Sequence, residues 1–192
     1  MTTDALAQAV AASLPAPEAR RSPFLIAIDG RCAAGKTTLA AALAGLLGAG
    51  IVHMDDFFLR PEQRTESRFA EAGGNVDRER FLEEVLLPLR AGQTVIYRPF
   101  NCHTLALAAP VTLASADIVV IEGSYSCHEA LRPYYDRTVF LDLSPDAQRQ
   151  RILARNGADG AQRFFDRWIP LEERYFAAQD VRAHCDLLLS AE

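Results

Sequence analysis

The chain has 192 residues, 49% hydrophobic and 23% charged, with a net charge of −5 and a pI near 5.4. That balance describes a globular protein with a full core and excludes a disordered chain. The acidic surface argues against nucleic acid or an anionic membrane as partner, and no apolar run is long enough to span a bilayer.

Residues 3–12 read as a short amphipathic helix. Asp4 comes early and no basic stretch precedes an apolar one, which is not the pattern of a secretory leader. Cys32, Cys102, Cys127 and Cys185 match no zinc or redox spacing, so reduced thiols and a cytoplasmic location are expected. Pro15-Ala16-Pro17 separates the first helix from an apolar run at 24–28 that reads as a buried strand.

Then comes Ile28-Asp29-Gly30-Arg31-Cys32-Ala33-Ala34-Gly35-Lys36-Thr37-Thr38, holding the only lysine of a chain whose other 19 basic residues are arginine. Gly30-x4-Gly35-Lys36-Thr37, after a strand and before a helix, fits the phosphate-loop pattern. Glycines let backbone N–H groups turn inward around phosphate oxygens, and the helix beginning there adds its positive end. An ammonium on a thin stem can curl back over such a loop, where a planar guanidinium would not fit. Lys36 and residues Gly30, Arg31, Cys32, Ala33, Ala34, Gly35, Thr37 and Thr38 are therefore the expected ATP contacts, and the Thr37 hydroxyl an expected ligand of Mg²⁺. With no second lysine, the chain has neither a guanine-reading Asn-Lys-x-Asp loop nor the strand lysine of a protein kinase.

A helix over 37–47 ends at Gly48 and Gly50, and a second strand over 51–54 leads to Asp55-Asp56. Ligands of parallel sheets bind outside the strands' carboxyl ends. Asp55 thus shares an edge with the phosphate loop, where a carboxylate can orient an attacking alcohol or serve Mg²⁺. Asp56 reads as a loop residue. Residues 61–75 read as a polar loop, Asp77 as the cap of a helix to about residue 90, and 94–97 as a strand. The run at 117–121 is a buried strand ending in Glu122, positioned as a second Mg²⁺-side carboxylate. A short helix over 128–135 and a strand over 138–143 follow.

Ser144-Pro145 starts a helix that runs to Asn156-Gly157, and a last helix over 161–179 is expected to break at Pro170. Arg149, Arg151, Arg155, Arg163 and Arg167 crowd around that glycine hinge, as a lid over 149–170 closing on phosphates requires. Residues 186–189 close the sequence as an edge strand. Apolar strands alternating with helices predict one α/β domain over 1–192, a three-layer P-loop NTPase fold with a mainly parallel five-stranded sheet.

From Phe24 to about Phe176 the chain resembles the uridine kinase-like branch of the P-loop kinases, which includes phosphoribulokinase and bacterial-type pantothenate kinase. The carrying motifs are GRCAAGKTT, DDFF, NVD, IEGSY and RILARNG. The resemblance makes Asp55 the base, places Phe57, Asn75 and Asp77 near the acceptor, gives Glu122 to the metal, and makes Arg151 and Arg155 the lid arginines. Phe100-Asn101 and His103 stand where that branch carries Tyr-Asp-Phe and His-Thr-Arg, so an amide replaces an expected carboxylate, and the lid reads Arg-Asn rather than Arg-Asp. The implied activity is ATP- and Mg²⁺-dependent phosphorylation of a small alcohol, first the 5′-hydroxyl of a nucleoside such as uridine, then pantothenate, a sugar or a vitamin riboside. A non-catalytic nucleotide-binding or regulatory ATPase is the competing class, and a homo-oligomer is left open.

Overall fold

The run Phe24–Gly30 forms strand β1, buried along its whole length, and the rest of the sheet is laid against it. The structure, a computed structural model, describes residues 1–192. Gly50–His53 (β2), Ile118–Glu122 (β3), Arg137–Asp142 (β4) and Leu187–Ser190 (β5) complete a five-stranded sheet of order β2-β3-β1-β4-β5. Every pairing is parallel. Unbroken apolar strands demand cover on both faces, and the packing supplies it. Ile26, Ile28, Val120, Val139 and Leu141 point toward Thr3–Ala12 (α1) and Lys36–Leu47 (α2), which contribute Leu6, Val10, Leu39 and Leu43. Leu25, Ala27, Val119, Ile121 and Phe140 face the other way, toward Phe81, Val85 and Leu89 of the helix over 78–90 (α3). The three layers of the P-loop NTPase fold follow from this alternation.

Pro145–Arg163 (α4) is capped by the Ser144 hydroxyl and is broken at Gly157, whose φ of 70° and ψ of 173° lie outside the helical region. The following helix, Ile169–Ala178 (α5), does not break at Pro170 as expected. A π turn, Phe164–Trp168, precedes it, and the Ile169 N–H reaches back five residues to the Phe164 carbonyl. The same device, Leu82–Leu86, precedes Pro88 in α3, with the Leu87 N–H bonded to the Leu82 carbonyl. Proline leaves the carbonyl four residues back without a donor, and a wide turn absorbs the mismatch without ending the helix.

Two further expectations are corrected. The strand over 94–97 shrinks to Ile96–Tyr97, paired antiparallel with Val111–Thr112 outside the main sheet. Pro99 cannot donate to a ladder, and the chain turns into a second small ladder, Phe100–Asn101 with Ala106–Leu107. The short helix over 128–135 reduces to the 3₁₀ turn Arg132–Tyr134 around Pro133. No helix is long and apolar enough to cross a membrane.

Gly30 shows how tightly β1 and β4 approach where the phosphate loop begins. Its φ is 132°, and a Cβ there would lie 2.1 Å from the Leu141 carbonyl oxygen. Gly30→Ala is expected to cost about 3 kcal/mol of unfolding free energy or more, from backbone strain plus the displaced strand, as read by denaturant titration.

Candidate active site

The loop after β1 is shaped by hydrogen bonds that fix each of its parts. Lys36 Nζ curls back to donate to the carbonyls of Gly30 (2.7 Å) and Arg31 (3.0 Å). An ammonium has three donors, so one N–H remains for an anion held by the loop. Ala33 adopts a φ of 63° and Gly35 one of 96°, turning successive amides inward. Thr38 lies in the first turn of α2, whose amides point into the same concavity.

Beneath the loop lies Asp29, fully buried. Its Oδ1 accepts from the amides of Gly30 (2.7 Å) and Tyr125 (3.2 Å), and its Oδ2 from the Cys127 amide (2.8 Å) and the Tyr175 hydroxyl (2.8 Å). Burial raises its pKa, while nearby Lys36 and these donors hold it down. Arg31 is tied to Asp142 (3.1 Å) and Glu173. Buried Glu172 accepts from the Cys32 amide at 2.8 Å.

Thr37 and Glu122 meet at the carboxyl edge of the sheet, and Asp55 lies close by. The Thr37 hydroxyl stands 3.2 Å from both Glu122 oxygens. Asp55 follows β2 and packs beside Gly123, where a Cβ would lie 3.5 Å from its Oδ1. Desolvation raises the Asp55 pKa, opposed by Lys36 and reinforced by Glu122. His53 Nδ1 lies 2.5 Å from Glu122 Oε1, and that contact raises the imidazole pKa. A hydroxyl with two carboxylates is the hard-oxygen donor set that Mg²⁺ takes, and Mg²⁺ completes its shell with water and phosphate oxygens. The loop amides and Lys36 fit a triphosphate equally well.

Of the lid arginines, Arg151 reaches the Ala33 carbonyl (3.4 Å) and the Ala191 carbonyl (2.5 Å), and Arg155 reaches the Cys32 sulfur (3.7 Å). Arg149 stacks on Phe165, and Arg167 on Phe69 and Trp168, away from the loop.

The residues assigned to the acceptor fare differently. Phe57 is fully buried between the rings of Phe81 and Tyr97, so it is a core residue with no face for an acceptor. Asp77 caps α3 through the Arg80 amide and accepts from Gln63 Nε2 (2.8 Å), which occupies both its oxygens. Asn101 Oδ1 accepts from the amides of His103 (2.8 Å) and Thr104 (3.1 Å), closing its own hairpin turn. His103 is exposed, Phe100 is buried beneath the Arg64 guanidinium, and Asn75 is buried beside the Tyr125 hydroxyl. Asp56 is more than a loop residue, since it accepts from the Tyr97 hydroxyl at 3.0 Å. Sequence reasoning overlooked Asp29, His53 and Glu172. A charged residue inside an apolar strand run was the available signal for Asp29, whereas nothing local marks His53 or Glu172.

The sequence pattern of the Phosphoribulokinase / Uridine kinase family matches residues 25–164. A pantothenate kinase of Limosilactobacillus reuteri is 27% identical over 160 residues, covering 71% of this chain and 50% of the relative. A chloroplastic uridine/cytidine kinase of Arabidopsis thaliana is 27% identical over 164 residues, covering 79% of this chain and 34% of the relative. The chain thus spans about half the length, or less, of these curated relatives. A solved structure described as a possible uridine kinase from Bacillus stearothermophilus superposes with a TM-score of 0.73 at 23% identity, covering 97% of this chain and 96% of that one. At that identity it supports the fold.

Burial lifts the Glu172 carboxyl to about 7 from 4.5, against Lys36, Gln148 and the Cys32 amide. Because the folded value lies above the unfolded one, ionisation favours the unfolded chain, so this group weakens the fold as pH rises through that interval. Relative to the parent, Glu172→Gln is expected to gain stability at about pH 8 and to gain none near about pH 4, as read by paired thermal melts.

Proposed function

Because the chain belongs to the Phosphoribulokinase / Uridine kinase family, we propose that it is a kinase that moves the γ-phosphoryl group of ATP, with Mg²⁺, to the hydroxyl of a small-molecule alcohol. The observation that carries this reading is the convergence of Lys36, the Thr37–Glu122 pair and Asp55 on one sheet edge. Lys36 and the loop amides bind the β and γ phosphates in a fixed array, so no reorganisation is needed as charge develops. Thr37 and Glu122, with Asp55 nearby, hold the metal, which draws charge from the phosphate oxygens when bound. Asp55 accepts the proton of the attacking hydroxyl. Arg151 and Arg155, already in contact with the loop, neutralise the charge spreading over the transferring group, with Gly157 just beyond them as the hinge of the segment that closes over the site.

The first reading of the acceptor is the 5′-hydroxyl of a ribonucleoside such as uridine. A second, another alcohol such as pantothenate, a sugar or a vitamin riboside, is favoured by Asn101, whose oxygen is taken up by its own turn rather than offered to a ribose. Incubating the protein with MgATP and a panel of nucleosides and small alcohols tests both. The expected result is ADP formed in step with one phosphorylated acceptor. Slow ADP release indifferent to every acceptor would mean a regulatory ATPase instead. Lys36→Ala is expected to lower turnover by about a thousandfold, as loss of a phosphate-binding cation does. Asp55→Asn is expected to lower turnover by about a hundredfold or more and to leave ATP binding close to the parent's in calorimetry.

A further inference from the structure

Glu172 lies on α5, 136 positions beyond Lys36 in the sequence, and no step of the proposed reaction uses it. It is 2% exposed, an unusual place for a carboxyl group without an arginine partner. Its contacts belong to three separate parts of the chain. Oε2 accepts from the Cys32 amide in the phosphate loop at 2.8 Å. Oε1 accepts from Gln148 Nε2 at 3.0 Å, and Gln148, itself 1% exposed, sits in the first turn of α4, where the lid segment begins. The Ser124 hydroxyl, two residues past Glu122, approaches Oε2 at 3.5 Å.

The loop needs such a hold. Ala33 takes a left-handed φ of 63° without being glycine, a conformation that costs a residue with a Cβ about 1 kcal/mol or more. The strain persists only if neighbouring groups fix the backbone on both sides. After Ala33, the start of α2 does so. Before it, the Ala34 N–H closes a turn on the Arg31 carbonyl (3.1 Å), and the Cys32 N–H is directed outward to Glu172. The same helix α5 also pins Asp29 through Tyr175 and Arg31 through Glu173. One helix therefore grips three residues around the loop's entry, Asp29, Arg31 and Cys32, with Glu172 on the residue next to the strained one.

Resting on the kinase reading above, we propose that Glu172 is a positioning residue for the phosphate loop, holding the Cys32 amide so that the loop keeps its triphosphate-binding shape and linking that shape to the lid through Gln148. Removing the carboxyl leaves the part-buried Cys32 N–H and the buried Gln148 amide without that partner, and the left-handed turn at Ala33 is free to relax.

Calorimetric titration with MgATP alone, in the absence of any acceptor, tests this on the full chain. Glu172→Ala is expected to bind about tenfold more weakly, the loss that accompanies one buried charge-assisted hydrogen bond. Glu172→Gln keeps an oxygen for the Cys32 amide and is expected to recover binding to within about threefold of the parent, since Gln148 can reverse its own amide to match. Leu89→Ala, in the core beneath α3, serves as the stability control and is expected to melt earlier while binding MgATP as the parent does. Parent-like binding by Glu172→Ala overturns the proposal alone, as does equal weakening in Leu89→Ala or no recovery in Glu172→Gln. A parent protein that does not bind MgATP overturns the kinase reading together with it.

Discussion

The buried carboxylate of Asp29 is the constraint on which the site depends. A charge taken out of water is costly unless every lone pair finds a donor, and here each of two oxygens receives two. Those donors come from the loop's first glycine, from the turn after β3 and from α5. Satisfying one ion therefore fixes three segments in a single arrangement. The end of β1, the segment carrying Glu122 and Gly123, and the helix bearing Glu172 cannot shift relative to one another without stranding that charge.

Around this anchor the electrostatics centre on one cation. Among the groups that oppose the desolvation-driven rise in pKa of Asp29, Asp55 and Glu172, Lys36 is common to all three, and it does the same for the Cys32 thiol. Carboxylates gathered at a sheet edge repel one another, and Glu122 raises Asp55 for that reason. The ammonium makes the cluster tolerable and leaves Asp55 and Glu122 available for a divalent cation. Lys36 is thus set between two demands, the loop carbonyls it bonds and the anions it faces. A compact charge on a flexible stem meets both, whereas a guanidinium plane would satisfy the carbonyls and obstruct the loop.

The helical segment around Gly157 and Pro170 is built from conflicts with helical geometry that the chain resolves locally. Gly157 supplies a non-helical joint, and the π turn ahead of Pro170 carries the helix past a residue that lacks a donor. The arginines on either side of the joint take two kinds of partner. Arg149 and Arg167 rest on aromatic rings within the lid or beside it, where stacking orders a guanidinium without neutralising it. Arg151 and Arg155 reach the loop, and Arg155 also lies over the Phe164 ring.

Sequence alone determined what is local. Gly30, Gly35, Lys36 and Thr37 declare an anion-binding turn because each residue type answers a steric or electrostatic demand within a few bonds. Apolar runs alternating with helices declare a covered parallel sheet, and the helix break at Gly157 follows from one residue's conformational freedom. Tertiary structure decided whatever depends on distant partners. The burial of Phe57, the use of Asp77 and Asn101 as caps rather than acceptor groups, the pairing of His53 with Glu122, and the reach of Glu172 to Cys32 join residues far apart in the chain or choose among several jobs one side chain can do. A carboxylate or amide has the same composition whether it caps a turn, grips a loop or meets a ligand, and only the atoms brought within hydrogen-bond distance by folding select among these.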